Sequence, residues 1–195
     1  MKRSICRDEP RRSFVRHWLG AHGRKGHGVH SPYLYAMCST VFGRRSASVE
    51  WASGELGSKR RRLLREAWGM LRFSEAERLV VPRGWKRAEG VAGRVEEGRL
   101  LDLIAGGGVR RGERVVAVLR ADEWVPLTET AWRELVGYLG EESWLVLVGI
   151  RENEDSWHRW CWLSQCTVFT VCIDRWSYGA AVYRAGMSRY SFGVR

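Results

Sequence analysis

The sequence lacks a long apolar run, a cysteine pair and a leader-like start, and each absence argues against a class of protein. No stretch of about 18 apolar residues is present, so the sequence predicts no transmembrane helix. The start, MKRSICRDEPRRSF, is charged and no apolar segment follows it, which argues against a secretory signal. The 5 cysteines include no C-x-x-C pair, which argues against structural zinc. We therefore expect free thiols and a cytoplasmic location.

Familiar catalytic and metal-binding motifs are also missing. Neither a Ser/His/Asp arrangement nor a nucleophile elbow is visible, so no catalytic residue is assigned. The glycine-rich segment 105–113 lacks the Lys-Ser/Thr of a phosphate loop and follows a predicted helix, so it is predicted to be a turn. Histidines between residues 22 and 30 lie beside Arg24 and Lys25, whose charges would repel a metal cation. No metal site is predicted.

Positive charge is concentrated in the N-terminal third. Residues 1–72 contain 16 Lys and Arg but 5 Asp and Glu, whereas residues 73–195 contain 17 of each kind, so the net charge of +11 lies in the first segment. Such a segment is either a solvated surface or a weak, non-specific contact for a polyanion such as nucleic acid. The candidate polyanion-binding residues are Arg11, Arg12, Arg16, Arg24, Lys25, Arg60, Arg61, Arg62 and Arg65.

Short apolar runs alternate with helical patterns from residue 78 onward. Continuous runs rich in β-branched residues predict strands that are buried on both faces. These runs are 79–81, 114–119, 144–149 and 166–173. Alternation of strand and helix predicts an α/β fold with a mostly parallel sheet. Runs 179–184 and 188–195 follow without a helix between them, so we expect an antiparallel C-terminal edge.

Polar residues in the sequence mark the predicted helix starts. Ser31 before Pro32 predicts a capped helix start, and Ser58 and Asp155 are further candidate caps. The helix from Ser58 has one apolar and one basic face. We expect two parts, a basic N-terminal helical extension over residues 1–72 and an α/β domain over residues 73–195.

Two acids stand where α/β proteins commonly bind ligands. Asp122 and Glu123 follow the predicted strand 114–119 after two intervening residues. Ligands of open α/β sheets bind outside the carboxyl ends of the strands. Asp122 and Glu123 are therefore the best-placed candidate ligand-binding acids in the chain.

The segment HGVHSPYLYAMCSTVF closely resembles the N-terminal part of a bacterial family of class I S-adenosylmethionine-dependent methyltransferase-like proteins. The C-terminal third is similar to the same family, including the Ile173-Asp174 pair, Gly179 and Arg184. The resemblance implies a Rossmann-like methyltransferase sheet with an N-terminal helical extension. It implies no catalytic role for the HSP segment.

Departures from the family pattern fall on its cofactor-binding positions. The family's first strand ends in an acid and a glycine-rich turn, whereas here PRGW, residues 82–85, follows the strand. Residues 82–113 are too few for the family's two intervening strands, so we expect a truncated sheet without the ribose-binding unit. The family's acidic positions at the ends of its fourth and fifth strands align with Leu119, Val148 and Gly149.

The leading hypothesis is a methyltransferase homologue that has lost the cofactor site and acts as a non-catalytic binding or scaffolding protein with an unidentified protein partner. Loss of two charge-assisted hydrogen bonds, at about 1.5–3 kcal/mol each, would move a micromolar cofactor site to the millimolar range. Two alternatives remain open: an active methyltransferase that holds S-adenosylmethionine through atypical contacts, and a binder of nucleic acid or another polyanion.

Overall fold

The computed structural model of the protein describes residues 31–43, 57–85 and 95–194. Within these ranges the chain forms one sheet covered by helices on both faces. The strands are β1 (Arg78–Val81), β2 (Val95–Glu97), β3 (Val115–Leu119), β4 (Trp144–Val148), β5 (Val171–Asp174), β6 (Tyr178–Val182) and β7 (Tyr190–Gly193). The helices are α1 (Pro32–Val41), α2 (Ser58–Phe73), α3 (Leu100–Ala105), α4 (Ala121–Trp124), α5 (Glu129–Tyr138) and α6 (Glu154–Gln165).

The strand order is β2-β1-β3-β4-β6-β5-β7. All neighbouring pairs are parallel except those of β6, which runs antiparallel to both β4 and β5. The predicted α/β class and the mostly parallel sheet are therefore confirmed. Strands β3 and β4 are almost entirely buried, because helices cover both faces and leave no place for a polar residue.

Two hydrophobic cores lie on opposite faces of the sheet. The core on one face joins α1 and α2 to residues such as Leu79, Val81 and Val146. The other core joins α3, α5 and α6 to the opposite side chains of the same strands, including Val80 and Leu145. The predicted boundary at residue 72 falls in the last turn of α2, and the division into an extension and a domain remains a prediction.

The expected antiparallel C-terminal edge is wrong in its placement. The antiparallel strand β6 lies inside the sheet, where Leu147 and Asp174 flank Gly179 on either side. The edge strand β7 is parallel to β5, with Val171 opposite Tyr190. The runs 144–149 and 166–173 therefore belong to one sheet but are not neighbours, since β6 separates them. Run 166–173 is also shorter as a strand than expected.

Strand β2 is a further correction. The sequence predicts no strand between residues 82 and 113, yet Val95–Glu97 pairs in parallel with β1, Leu79 lying opposite Val95. Three residues with two glutamates do not form an apolar run, so the sequence pattern does not indicate a strand here. The sheet thus keeps one strand outside β1.

The helix starts follow capping chemistry, with two changes from expectation. The Ser31 hydroxyl accepts a hydrogen bond from the backbone N–H of Leu34, as predicted. Helix α6 is capped by Asn153 rather than Asp155, because Asn153 and Ser156 each accept a hydrogen bond from the other's backbone N–H. Ser58 is the first residue of α2, and Gly57 precedes it without a side-chain cap.

None of the helices in the described ranges is both long enough and apolar enough to cross a bilayer.

Candidate functional site

The carboxyl ends of β1 to β5 meet at one side of the sheet, here called the carboxyl edge. The chain adds β2 on one side of β1 and then β3 on the other side. The direction of winding therefore reverses at β1, and ligands of open α/β sheets bind at such a point. The carboxyl edge around β1 and β3 is the natural candidate site.

A tight turn closes the end of β1. The backbone N–H of Trp85 donates to the carbonyl of Pro82 at 3.1 Å, and Gly84 adopts a φ of 78°, a conformation that glycine tolerates best. The turn directs Trp85 into the core shared with α1 and α2, where its side chain is 8% exposed. The Arg60 guanidinium lies 5.2 Å from the centre of the Trp85 ring. Arg60 thereby covers the indole at the carboxyl edge.

The ends of β3 and β4 are joined by a second tryptophan. Trp124 of α4 is fully buried, and its indole N–H donates to the carbonyl of Val148 at 2.9 Å. The hydrogen bond satisfies the carbonyl at the end of β4, which a polar ligand would otherwise contact. Tryptophan side chains thus fill the carboxyl edge on both faces of the sheet.

The two predicted acids have different environments. Asp122 is exposed and pairs with Arg120 at 3.2 Å. Glu123 is 8% exposed, and its burial raises the pKa of the carboxyl group, although Arg99 and Arg120 act in the opposite direction. Asp122 and Glu123 do lie at the carboxyl edge as predicted, but they face different surroundings.

A small cleft opens beside Glu123. Its volume of about 10 Å³ holds roughly one water molecule. The cleft is lined by Arg99, Leu100, Leu101, Leu119, Glu123, Leu127 and Leu135. A cleft of this size does not accommodate a nucleoside or an amino acid, since small-molecule sites typically have about 300–1,000 Å³.

Glu123 gives a pH-dependent prediction. Because its folded-state pKa is raised, protonation favours the folded state, and stability falls as the pH rises through that pKa. Glu123→Gln removes the cost of the buried charge, so we expect a higher Tm than the parent at pH 7 and no difference near pH 4. Thermal unfolding at both pH values tests this, with Asp122→Asn as an exposed control. A lower Tm for Glu123→Gln at pH 7 would contradict it.

At the ends of β4 and β5, the Arg151 guanidinium contacts two tryptophan rings. Arg151 forms a two-pronged ion pair with Asp174 and donates to the carbonyl of Trp176 at 3.0 Å. Its guanidinium lies 4.3 Å from the ring centre of Trp157 and 4.6 Å from that of Trp176. These contacts hold Trp176 at a φ of 67°, which bulky residues rarely adopt. They join β4 to the turn between β5 and β6.

A buried ionic cluster connects α2 to the sheet. Arg175 pairs with Glu66, and the Tyr178 hydroxyl donates to the same carboxylate. Glu66 is 3% exposed, Arg175 2% and Tyr178 1%. Burial and the Glu66 charge raise the pKa of Tyr178, so the phenol keeps its proton. Arg175 also donates to the carbonyl of Val194 at 3.1 Å, which adds the C-terminal segment to the cluster.

The predicted basic residues are only partly placed. Arg11, Arg12, Arg16, Arg24 and Lys25 lie outside the described residues. Arg60, Arg61 and Arg65 are exposed on α2, and Arg62 is half-buried. The contact of Arg60 with Trp85 shows that the first turns of α2 reach the carboxyl edge. The sequence gives no sign of this proximity.

Glu97 was missed by the sequence reasoning. It is the last residue of β2 and lies opposite Val81, the last residue of β1. Glu97 is half-buried and belongs to the carboxyl edge. No signal in the sequence could have found it, because β2 itself has no recognisable pattern.

The described residues contain no group of three or more histidine, cysteine or acidic side chains able to hold a metal ion. Comparison of the chain with protein-family models, curated proteins and solved structures finds no match.

Proposed function

We propose that the protein is a non-catalytic homologue of class I S-adenosylmethionine-dependent methyltransferases that acts by binding a macromolecule. The observation that carries the proposal is the filled carboxyl edge. Trp85, covered by Arg60, lies at the end of β1, where the family resemblance implies a glycine-rich turn for the cofactor.

The strand order supports the proposed relationship to class I methyltransferases. A parallel sheet with a single antiparallel strand inserted beside its C-terminal strands is compatible with the methyltransferase-like sheet that the HGVHSPYLY segment implies. The helices before β1 pack on one face of that sheet, which is compatible with the N-terminal helical extension that the resemblance implies.

The described residues at the carboxyl edge argue against an S-adenosylmethionine site. At the ends of β1 and β3, tryptophan rings occupy the edge, and the neighbouring cleft has room for roughly one water molecule. At the ends of β4 and β5, Asp174 is already paired with Arg151. The turn after β1 has Pro82, Arg83 and Trp85 at positions where the family resemblance implies glycines that let the backbone approach the cofactor.

One observation favours the alternative of an active enzyme. Glu97 ends the strand next to β1, which is where the family resemblance places the acid that holds the ribose hydroxyls. In this alternative, β2 is what remains of the ribose-binding unit and Glu97 is its acid. Cofactor binding through Glu97 is the second candidate function.

Calorimetric titration with S-adenosylmethionine and S-adenosylhomocysteine distinguishes the two. We expect no binding with a dissociation constant below about 100 μM, because Trp85 fills the position of the glycine turn. Glu97→Gln serves as the matched variant. Binding tighter than about 100 μM by the parent chain, weakened at least tenfold by Glu97→Gln, would establish the alternative and reject the proposal.

A further inference from the structure

Each of the first five strands is followed by an arginine. The residues are Arg83 after β1, Arg99 after β2, Arg120 after β3, Arg151 after β4 and Arg175 after β5. All five strands are parallel to one another through the sheet, so their carboxyl ends lie at the same edge. The arginines therefore share the carboxyl edge.

Two of the five arginines serve the fold. Arg151 is paired with Asp174, and Arg175 is paired with Glu66 in the core. The other three, Arg83, Arg99 and Arg120, are exposed. The ion pair of Arg120 with Asp122 joins side chains that are 59% and 65% exposed, and such a pair is weak. A phosphate group can therefore compete with the Asp122 carboxylate for the Arg120 guanidinium.

The three exposed arginines follow adjacent strands. The order β2-β1-β3 places Arg99, Arg83 and Arg120 after neighbouring strands, which are about 4.8 Å apart in a sheet. The two outer strands of this trio, β2 and β3, are therefore about 10 Å apart. Arg60 adds to this group of arginines, because its guanidinium stacks on Trp85 at the end of β1. Helix α2 has no acid in its first turn, so its positive dipole end adds to the same potential.

Carboxylates at this edge reduce its positive charge. Exposed Asp102 lies in the first turn of α3 after β2, and exposed Glu152, Glu154 and Asp155 follow β4. Asp122 is engaged with Arg120, and Glu97 is half-buried at the end of β2. Glu123 is buried beside the small cleft. Among the described residues at the ends of β2, β1 and β3, the exposed charged side chains are therefore Arg60, Arg83, Arg99 and Arg120 on one side of the balance and Asp102 and Asp122 on the other, so guanidinium groups outnumber exposed carboxylates in this part of the edge.

We propose that the carboxyl edge, through Arg60, Arg83, Arg99 and Arg120, binds the phosphate backbone of double-stranded nucleic acid. The proposal rests on the proposed function, since it names the macromolecule that the non-catalytic protein binds. The planar guanidinium fork matches phosphate oxygens in a two-pronged geometry, and a row of such groups matches a row of phosphates.

The choice of a duplex follows from the exposed aromatic side chains. Single strands are held by stacking of bases on exposed rings. In the described part of the chain the exposed large apolar side chains are Tyr35, Leu101 and Tyr183. Tyr183 follows the end of antiparallel β6 and so lies at the opposite edge. Tyr35 lies in the first turn of α1, and this turn is located at the end of α2 by the contact of Tyr33 with Phe73. The carboxyl edge thus offers charge without a stacking platform.

Fluorescence anisotropy of the full chain with a labelled DNA duplex of about 20 base pairs tests the proposal. The edge variant is Arg83→Gln, Arg99→Gln and Arg120→Gln together. We expect it to bind at least tenfold more weakly than the parent at about 50 mM salt. Its log–log salt slope should be shallower by about 2 to 3, because each phosphate contact contributes about 0.9.

A matched control variant removes the same charge from the other end of the sheet. Arg72 lies at the end of α2, and Arg110 and Arg111 precede β3; all three are exposed. Their combined change to Gln should alter affinity less than threefold. A third variant with lysine at 83, 99 and 120 keeps the charge and should retain the parent's salt slope.

Several outcomes would overturn the inference. It fails if the parent does not bind the duplex at low salt, or if the edge and control variants lose affinity equally. Tighter binding to a labelled single strand, or displacement of the duplex by vesicles rich in phosphatidylserine, would assign the edge to a different partner. Calorimetry with S-adenosylmethionine separates this failure from that of the proposed function, because cofactor binding would reject the non-catalytic role whether or not the edge variant loses the duplex.

Discussion

Replacing Glu66 by alanine should lower the free energy of unfolding by about 3–5 kcal/mol. The substitution leaves the Arg175 guanidinium charged in the core, where it is 2% exposed and has lost its carboxylate partner. Tyr178 loses the acceptor of its hydroxyl at the same time. An uncompensated buried charge costs far more than the net contribution of the original pair.

Chemical denaturation monitored by tryptophan fluorescence measures the effect. Glu134→Ala is the matched control, because Glu134 is an exposed helical glutamate on α5, and we expect a change of no more than about 0.5 kcal/mol. The double variant Glu66→Leu with Arg175→Met removes both charges and should recover most of the loss. The account is wrong if Glu66→Ala costs less than about 1 kcal/mol.

Gly179→Ala should destabilise the protein by about 3 kcal/mol. A Cβ atom at Gly179 would lie 2.5 Å from Cζ3 and 2.6 Å from Cη2 of Trp160, well inside contact distance. Trp160 is fully buried in the core between α6 and the sheet, so its rigid ring has no free space to enter. Gly179 cannot shift either, because β6 is hydrogen-bonded to strands on both sides.

Thermal and urea unfolding test the Gly179 prediction. Gly137→Ala provides the control, since no atom lies within 4 Å of a Cβ at this position in helix α5. That change should raise stability by about 0.5–1 kcal/mol through helix propensity. Substituting Leu for Trp160 in the Gly179→Ala background should make the added methyl group better tolerated than it is beside the indole. Parent-like stability of Gly179→Ala would contradict the packing argument.

The sequence predicts the parallel half of the sheet well for a physical reason. A strand covered on both faces excludes polar side chains, so β3 and β4 appear as unbroken apolar runs. The helices between them are equally legible, since Thr128 caps α5 by accepting a hydrogen bond from the backbone N–H of Ala131 at 3.2 Å. Apolar runs and helix caps depend on residues that are close together in the chain, so they can be recognised in a single sequence.

Strand order and short strands are not local properties. β6 pairs with β4 and β5 through a register that no turn residue specifies, and the apolar run of β6 would suit an edge as well as the centre. β2 is three residues long and carries two acids, so it shows neither the apolar run nor the alternation of apolar and polar residues that indicates a strand. These features depend on partners distant in the chain.

The candidate site shows the same division. The sequence places Asp122 and Glu123 at the carboxyl edge, because they come soon after a strand that the sequence predicts. The pairing of Glu66 with Arg175 joins residues 109 positions apart and leaves no mark in either segment. The stacking of Arg60 on Trp85 is equally hidden.

The insertion of β6 between β4 and β5 has a consequence for the order in which the chain is made. Synthesis delivers the apolar strand β4 first, then α6 and β5, and only afterwards the strand that separates them. Until β6 leaves the ribosome, the outer edge of β4 is an unpaired row of backbone groups, and β5 has no partner on the growing sheet. Such edges recruit foreign strands. The nascent chain is therefore most vulnerable to aggregation, and most dependent on chaperones, in the interval between the synthesis of β4 and the emergence of β6.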